Sequence, residues 1–263
     1  MAKHIEDIPQ VATKVCRDIE GWLDENTAMF TAELLNIQCA NSITGSILEF
    51  GVHRGRYLAL IYGSCDENEE AVGVDAFFQK LDVPLEPVWR DHAMGVITAN
   101  VASVWTDPGK LRLLAGRTVE IPLEQLRERS SAGYRFISVD AGHDADSVSY
   151  DMALASRLLS KGGIIAVDDL FNPLVPGVAE GFFRWAMGGG GAIGHSVVAY
   201  CGNKAFVVKK ADYPFYRESI TRLIDSGTEY EFVSVAKQIR DTNTANNYEP
   251  VVFGDPYICL SRR

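Results

Sequence analysis

Two short apolar runs, each ending in aspartate, constrain this chain more than any other feature of its sequence. Tyr134-Arg-Phe-Ile-Ser-Val-Asp140 and Ile164-Ile-Ala-Val-Asp168 flank a segment read as a helix, Asp146 to Leu159, which Gly162-Gly163 brings to an end. Runs that are nearly continuous in apolar residues are strands buried on both faces. Strands of that kind belong to parallel sheets with helices packed above and below. The unit reads as strand–helix–strand, and both aspartates fall at the carboxyl ends of its strands.

The remaining segments extend the same pattern. Val11, Val15, Ile19 and Leu23, then Phe30, Leu34 and Leu35, lie at helical spacing, so residues 8–40 read as one or two amphipathic helices. Strands are expected at Ser46 to Phe50, Ala71 to Asp75 and Leu111 to Leu114. A proline-marked loop (Pro84, Pro87) leads into a helix from Val88 to Trp105, and a short helix runs from Leu123 to Arg129. Ser196 to Tyr200 and Ala205 to Lys209, joined by Cys201-Gly-Asn-Lys204, read as a late antiparallel hairpin. The expected fold is α/β: a doubly wound, Rossmann-like sheet, mostly parallel with an antiparallel late strand, and helices on both faces. One domain over residues 1–263 is expected, with an N-terminal helical segment (about 1–42) and a C-terminal extension (about 211–263) whose elements the pattern does not place.

Bulk properties narrow the function classes. With 263 residues and 47% hydrophobic content, the chain is long enough for one substantial core. No apolar run reaches the ~18 residues of a membrane span and MAKHIEDIPQ lacks a signal peptide's apolar stretch, so a cytoplasmic protein is expected. Five scattered cysteines without CxxC spacing suit reduced thiols. A net charge of −10 argues against general nucleic-acid binding. A small-molecule partner is expected, and the terminal segments offer surfaces for self-association into a homo-oligomer.

The first expected strand runs into Glu49-Phe-Gly51-Val-His-Arg-Gly55, a G-x-x-x-G turn that would open a helix. Glycine suits a backbone that approaches a ligand closely, and the amide groups of a helix start receive polar ligand atoms. Asp75 ends the second strand, where a carboxylate accepts hydrogen bonds from ribose hydroxyls. The pairing points to a nucleoside. The dinucleotide fingerprint G-x-G-x-x-G is absent, because Val52 follows Gly51, which disfavours an NAD-type oxidoreductase. Glu49 is placed to hold either the turn or a cofactor's ammonium group.

Asp140, Asp168 and Asp169 would share the same sheet edge if their strands are neighbours. Three carboxylates so placed repel one another unless a cation neutralises them, and hard oxygen ligands suit Mg²⁺. The competing reading is that Asp140 and Asp168 cap the helices that follow.

Across roughly residues 46–210 these features resemble class I S-adenosylmethionine-dependent methyltransferases. Residues 136–171 resemble the core of the metal-dependent sugar and macrolide O-methyltransferases. The resemblance implies Glu49, Gly51, Gly55 and Asp75 as cofactor-binding residues, with Gly116, Arg117 and Thr118 contacting the adenine. It also implies Asp140, Asp168 and Asp169 as ligands of a divalent metal, Asp140 serving catalysis as well, and His143 as the base that deprotonates a hydroxyl of a sugar, glycoside or related metabolite. Arg56-Tyr57 and Ala141 depart from the usual pattern of a small residue with a hydroxyl and a glycine. A methyltransferase-like protein that binds a nucleoside without chemistry is the remaining alternative. Elsewhere, Phe77 or Phe78 is a candidate to pack on the adenine and His53 to reach substrate. Gly188 to Gly191 reads as a loop near the site mouth, and Phe182, Phe183 and Trp185 as a substrate wall or as core.

Overall fold

The computed structural model describes residues 3–80, 83–84, 86–188 and 190–261, with only the backbone described at 78–80 and 83–84. Its frame is an eight-stranded sheet: β1 (Ser46–Phe50), β2 (Ala71–Asp75), β3 (Leu111–Ala115), β4 (Tyr134–Val139), β5 (Leu159–Val167), β6 (His195–Cys201), β7 (Lys204–Lys209) and β8 (Ile258–Cys259). The strand order is β8-β6-β7-β5-β4-β1-β2-β3. Strands β1 to β5 pair in parallel, whereas β7 runs antiparallel to both β5 and β6. Strand order reverses beside β1, the place where open α/β sheets bind ligands at the carboxyl ends of their strands.

The period-two alternation along each strand divides the core into two halves. Ile47, Phe136, Ile164 and Phe206 pack on one face with α1 (Ile8–Asp18), α2 (Glu25–Ala40), α3 (Arg56–Tyr62) and α4 (Pro87–Val104). Leu48, Ile137, Ile165 and Val207 pack on the other with α5 (Leu123–Arg129), α6 (Ala145–Leu158) and α7 (Pro176–Gly188). Aspartates start three of these helices. Asp7, Asp24 and Asp144 each accept a hydrogen bond from a backbone N–H of the first turn.

Two sequence expectations change, and one unplaced segment gains its elements. Helix α6 ends at Leu158, and β5 begins at Leu159, so Gly162-Gly163 lies inside the strand. Gly162 has φ 72° and the β4–β5 register shifts beside it, so the pair forms an irregularity in the ladder and does not terminate the helix. Helix α2 is buried nearly all round (Thr27, Phe30, Thr31, Leu34 and Gln38 all inside), hence not amphipathic. The unplaced C-terminal segment supplies α8 (Tyr213–Asp225), α9 (Glu231–Ala245) and the edge strand β8. No helix of the described residues is long and apolar enough to cross a membrane.

At the edge opposite the aspartates, polar groups tie the layers together. Arg135 is fully buried and pairs with Glu69 through Nε–Oε1 and Nη2–Oε2 contacts of 3.0 Å each. The same guanidinium donates to the Ser64 carbonyl (2.8 Å) and to Gln38 Oε1 on α2 (3.0 Å). Gln38 Nε2 donates to the Arg135 carbonyl and to the Tyr216 hydroxyl on α8 (2.7 and 3.1 Å). Breaking a buried ion pair leaves one charge stranded. Glu69→Ala is expected to cost about 3–5 kcal/mol in urea unfolding; a loss under ~1 kcal/mol would show the network to be dispensable.

Candidate active site

The glycine turn after β1 has the shape its sequence implies, for a partly different reason. Gly51 has φ 82°, and a Cβ there would stand 1.9 Å from the Asp140 carbonyl oxygen. Close packing of the β1 and β4 ends thus already demands this glycine. Gly55 (φ 80°) occupies the N-cap of α3, against Ile97 of α4. Asp75 holds the turn: its Oδ2 accepts from the backbone amides of Val52 and His53 (2.8 and 2.9 Å), and its Oδ1 accepts from Phe77 (2.7 Å). Two amides of the turn expected to face a ligand are therefore bound to Asp75, whose Oδ1 keeps one lone pair free.

Glu49 is 2% exposed, and its Oε2 has no hydrogen-bond partner. Burial, followed by the negative charge of Asp140, pushes its carboxyl well above the usual range against the pull of Lys204. It stands at a parity position shared with Ile47, facing the side of the sheet that carries α3.

Asp140 and Asp168 follow directly on β4 and β5, held by backbone bonds from Asp140 N to the Phe50 carbonyl and from Asp168 N to the Val139 carbonyl (2.9 and 3.0 Å). The expected neighbourhood is real, and the capping reading does not describe it, because Asp144 caps α6. Between the two carboxylates lies an ammonium that sequence reading assigned to an ordinary hairpin. Lys204 Nζ is 3.1 Å from Asp168 Oδ2 and 3.6 Å from Asp140 Oδ2, and its side chain is 3% exposed. It also sits 4.4 Å above the Tyr57 ring. Burial opposes the ammonium, but the two aspartates outweigh it and hold Lys204 charged. Burial opposes ionisation of Asp140 too; Lys204 and His143 outweigh it and keep that carboxyl below its usual value. Asp168 moves the other way, raised by burial and by Asp140. A signal for Lys204 existed in the sequence. Antiparallel pairing of Val167 with Ala205 puts Lys204 across from Asp168.

His143 is 44% exposed, with Nε2 3.8 Å from Asp140 Oδ1 and 3.9 Å from Asp169 Oδ2. Asp140 raises its pKa above the usual imidazole value. Asp169 adopts φ 56°, and its Oδ1 accepts from the Asn172 and Asn203 side-chain amides, at 3.0 Å each.

The profile of a family described as "Methyltransferase domain" matches residues 48–170. Over that stretch the chain is similar to this family. Solved structures with the same fold include the O-methyltransferase NovP, at 13% identity and TM-score 0.54, covering 70% of this chain and 79% of that one. The O-methyltransferase TomG from Streptomyces achromogenes, solved with S-adenosylmethionine, matches at 14% and 0.53, covering 78% and 90%. The calicheamicin methyltransferase CalS11 matches at 19% and 0.50, covering 80% and 96%. No curated protein sequence matches the chain significantly.

Other expected residues divide by position within the matched segment and beyond it. Gly116 N donates to the Asp75 carbonyl (2.9 Å), which brings the Gly116-Arg117-Thr118 segment beside the second strand's end. Phe77 is buried in the core and the Phe78 side chain lies outside the described residues. His53 stacks on the exposed Trp22 ring at 5.2 Å. Phe182 and Trp185 are core. Gly189 lies outside the described residues; Gly190 and Gly191 precede His195, the start of β6, and therefore sit at the edge away from the aspartates.

Thr118 is buried and its hydroxyl bonds to Asp151 of α6, itself 2% exposed. Burial pushes Asp151 up to about 7. Its folded pKa lies above the unfolded one, so the folded state binds the extra proton and stability falls as pH rises from about 4 to about 7. Asp151→Asn removes that slope, and above pH 7 it is expected to be more stable than wild type by up to ~4 kcal/mol. Equal pH profiles for the two proteins in chemical unfolding would refute an ionising Asp151.

Proposed function

We propose that the chain is an S-adenosylmethionine-dependent O-methyltransferase acting on a hydroxyl of a small metabolite such as a sugar or glycoside. The observation that carries this reading is the grouping of Glu49, Asp75, Asp140 and His143 at one sheet edge, over a glycine turn and within the matched domain. The solved structures of this fold include proteins named as O-methyltransferases, one of them holding S-adenosylmethionine.

The residues fit the cofactor. The unpartnered Glu49 Oε2, buried beside the glycine turn, is an acceptor waiting for a cation such as the cofactor's ammonium group. Asp75 shapes the turn and keeps a lone pair for a ribose hydroxyl, and Gly116 to Thr118 border the same edge. When bound, the cofactor supplies an electrophilic sulfonium methyl group. The chain must then orient a hydroxyl and remove its proton. With Nε2 turned toward Asp140 and Asp169, the other nitrogen of the His143 ring is free to accept that proton as the new O–CH₃ bond forms, and the two carboxylates stabilise the imidazolium. Exposed rings near this edge, Trp22 over His53 and Phe171 against Tyr200, offer flat apolar faces for an acceptor.

The donor set does not fit a divalent metal as arranged. Lys204 bridges two of the three carboxylates, Asn172 and Asn203 hold the third, and no group of three ligating side chains among the described residues converges on one point.

Two variants test the reading. His143→Ala is expected to abolish most turnover on a hydroxylated acceptor while calorimetric affinity for S-adenosylmethionine stays within about twofold; full turnover would exclude His143 as the base. Glu49→Gln is expected to weaken cofactor binding by ~10-fold or more, since a charge-assisted hydrogen bond is lost. Unchanged affinity would remove Glu49 from the cofactor site.

A further inference from the structure

We infer that Lys204 is the resident cation of this site: its ammonium holds the place between Asp140 and Asp168 that a divalent metal would need, and the protein works without one. The inference rests on the methyltransferase reading above and adds to it the source of positive charge.

Register fixes the lysine's position. β7 runs antiparallel to β5 with Val167 opposite Ala205, so the next pair outward is Asp168 and Lys204. The ammonium then reaches Asp168 Oδ2 at 3.1 Å and Asp140 Oδ2 at 3.6 Å. A Mg²⁺ ion bound by these oxygens would lie ~2.1 Å from each, within a few ångströms of Nζ. Two like charges at that separation, with the lysine 3% exposed, repel too strongly for both to stay. The lysine has no route aside, because the Tyr57 ring lies 4.4 Å beneath Nζ, and the Tyr57 hydroxyl is itself fixed to Thr31 Oγ1 at 3.0 Å. Asp169 is also committed elsewhere, its Oδ1 taken by two amide donors. Lys204 acts through the two aspartates and is a positioning residue: it neutralises the pair and keeps Asp140 aimed at His143.

The test uses the full chain, freed of metal by chelation, with Mn²⁺ followed by electron paramagnetic resonance and Mg²⁺ by thermal melting. Wild type is expected to leave Mn²⁺ free at millimolar concentration, to melt at the same temperature with and without 10 mM Mg²⁺, and to bind S-adenosylhomocysteine equally in chelator. Lys204→Met, which bares the carboxylates, is expected to gain a Mn²⁺ site, whereas Lys204→Arg keeps the indifference of wild type. A wild-type Mn²⁺ site tighter than ~0.1 mM, or a melting rise of ~5 °C in 10 mM Mg²⁺, would overturn the inference. So would a folded Lys204→Met that takes up no Mn²⁺. If that variant does not fold, the wild-type titration alone decides. Failure of wild type to bind S-adenosylhomocysteine would instead defeat the methyltransferase reading, and the metal titration would still judge Lys204.

Discussion

Carboxylates crowd the carboxyl edge of the sheet, and the buried Lys204 ammonium makes that crowd tolerable. Glu49, Asp140 and Asp168 come from three neighbouring strands, and parallel pairing leaves them no freedom to separate. One positive charge does not balance three negative ones. The imbalance shows in opposite shifts: Lys204 and His143 hold Asp140 below its usual value against burial, while burial raises Glu49 and Asp168 against the pull of Lys204. A site prepared in this way has an unsatisfied acceptor at Glu49 and a charged orienting group at Asp140. Those are the two things that a cationic cofactor and a proton-accepting histidine require.

The opposite edge solves the same problem by another route. The Arg135–Glu69 pair is as buried as Lys204, yet every contact is filled by Gln38, Ser64 or the backbone, so nothing there is left for a ligand. Both edges thus carry buried charge, and the difference between them lies in satisfaction. Unpartnered buried oxygens occur at Glu49 and Asp168 on the edge read as the active site, and neither member of the Arg135–Glu69 pair has one.

Much of this was legible from the chain. The strands at 46–50, 71–75 and 134–139 are marked by apolar runs ending in a glycine turn or an aspartate, and local pattern determines them. Gly162-Gly163 misled because glycine signals both a helix end and a ladder irregularity, and only the partner strand β4 distinguishes these. Gly188 to Gly191 look like a site loop in one dimension, but β6 runs in the same direction as β5, so Gly190 and Gly191 before its start lie at the far edge. Gly51 stands out in the sequence as a ligand-facing glycine, and the cause visible in the fold is the Asp140 backbone, which a Cβ there would strike. Lys204 was missed because lysine in a hairpin turn usually faces water. Its burial follows from a cross-strand register that a sequence shows only once the strands are paired.

The N-terminal helices, which read as a flanking segment, complete the site from outside the matched domain. Thr27 of α2 lies against the β6–β7 turn, its hydroxyl bonded to the Cys201 carbonyl at 3.3 Å, and a Cβ on Gly202 would stand 2.0 Å from Thr27 Oγ1. Four residues on, Thr31 fixes the Tyr57 hydroxyl whose ring floors Lys204. One face of α2 therefore presses the hairpin turn inward and sets the ring beneath the ammonium it carries. That contact accounts for the depth of burial in α2, where an amphipathic surface helix was expected. It also makes the charge balance at the sheet edge a property of the helical segment as much as of the strands, because water admitted past α2 would screen Lys204 from the two aspartates it holds.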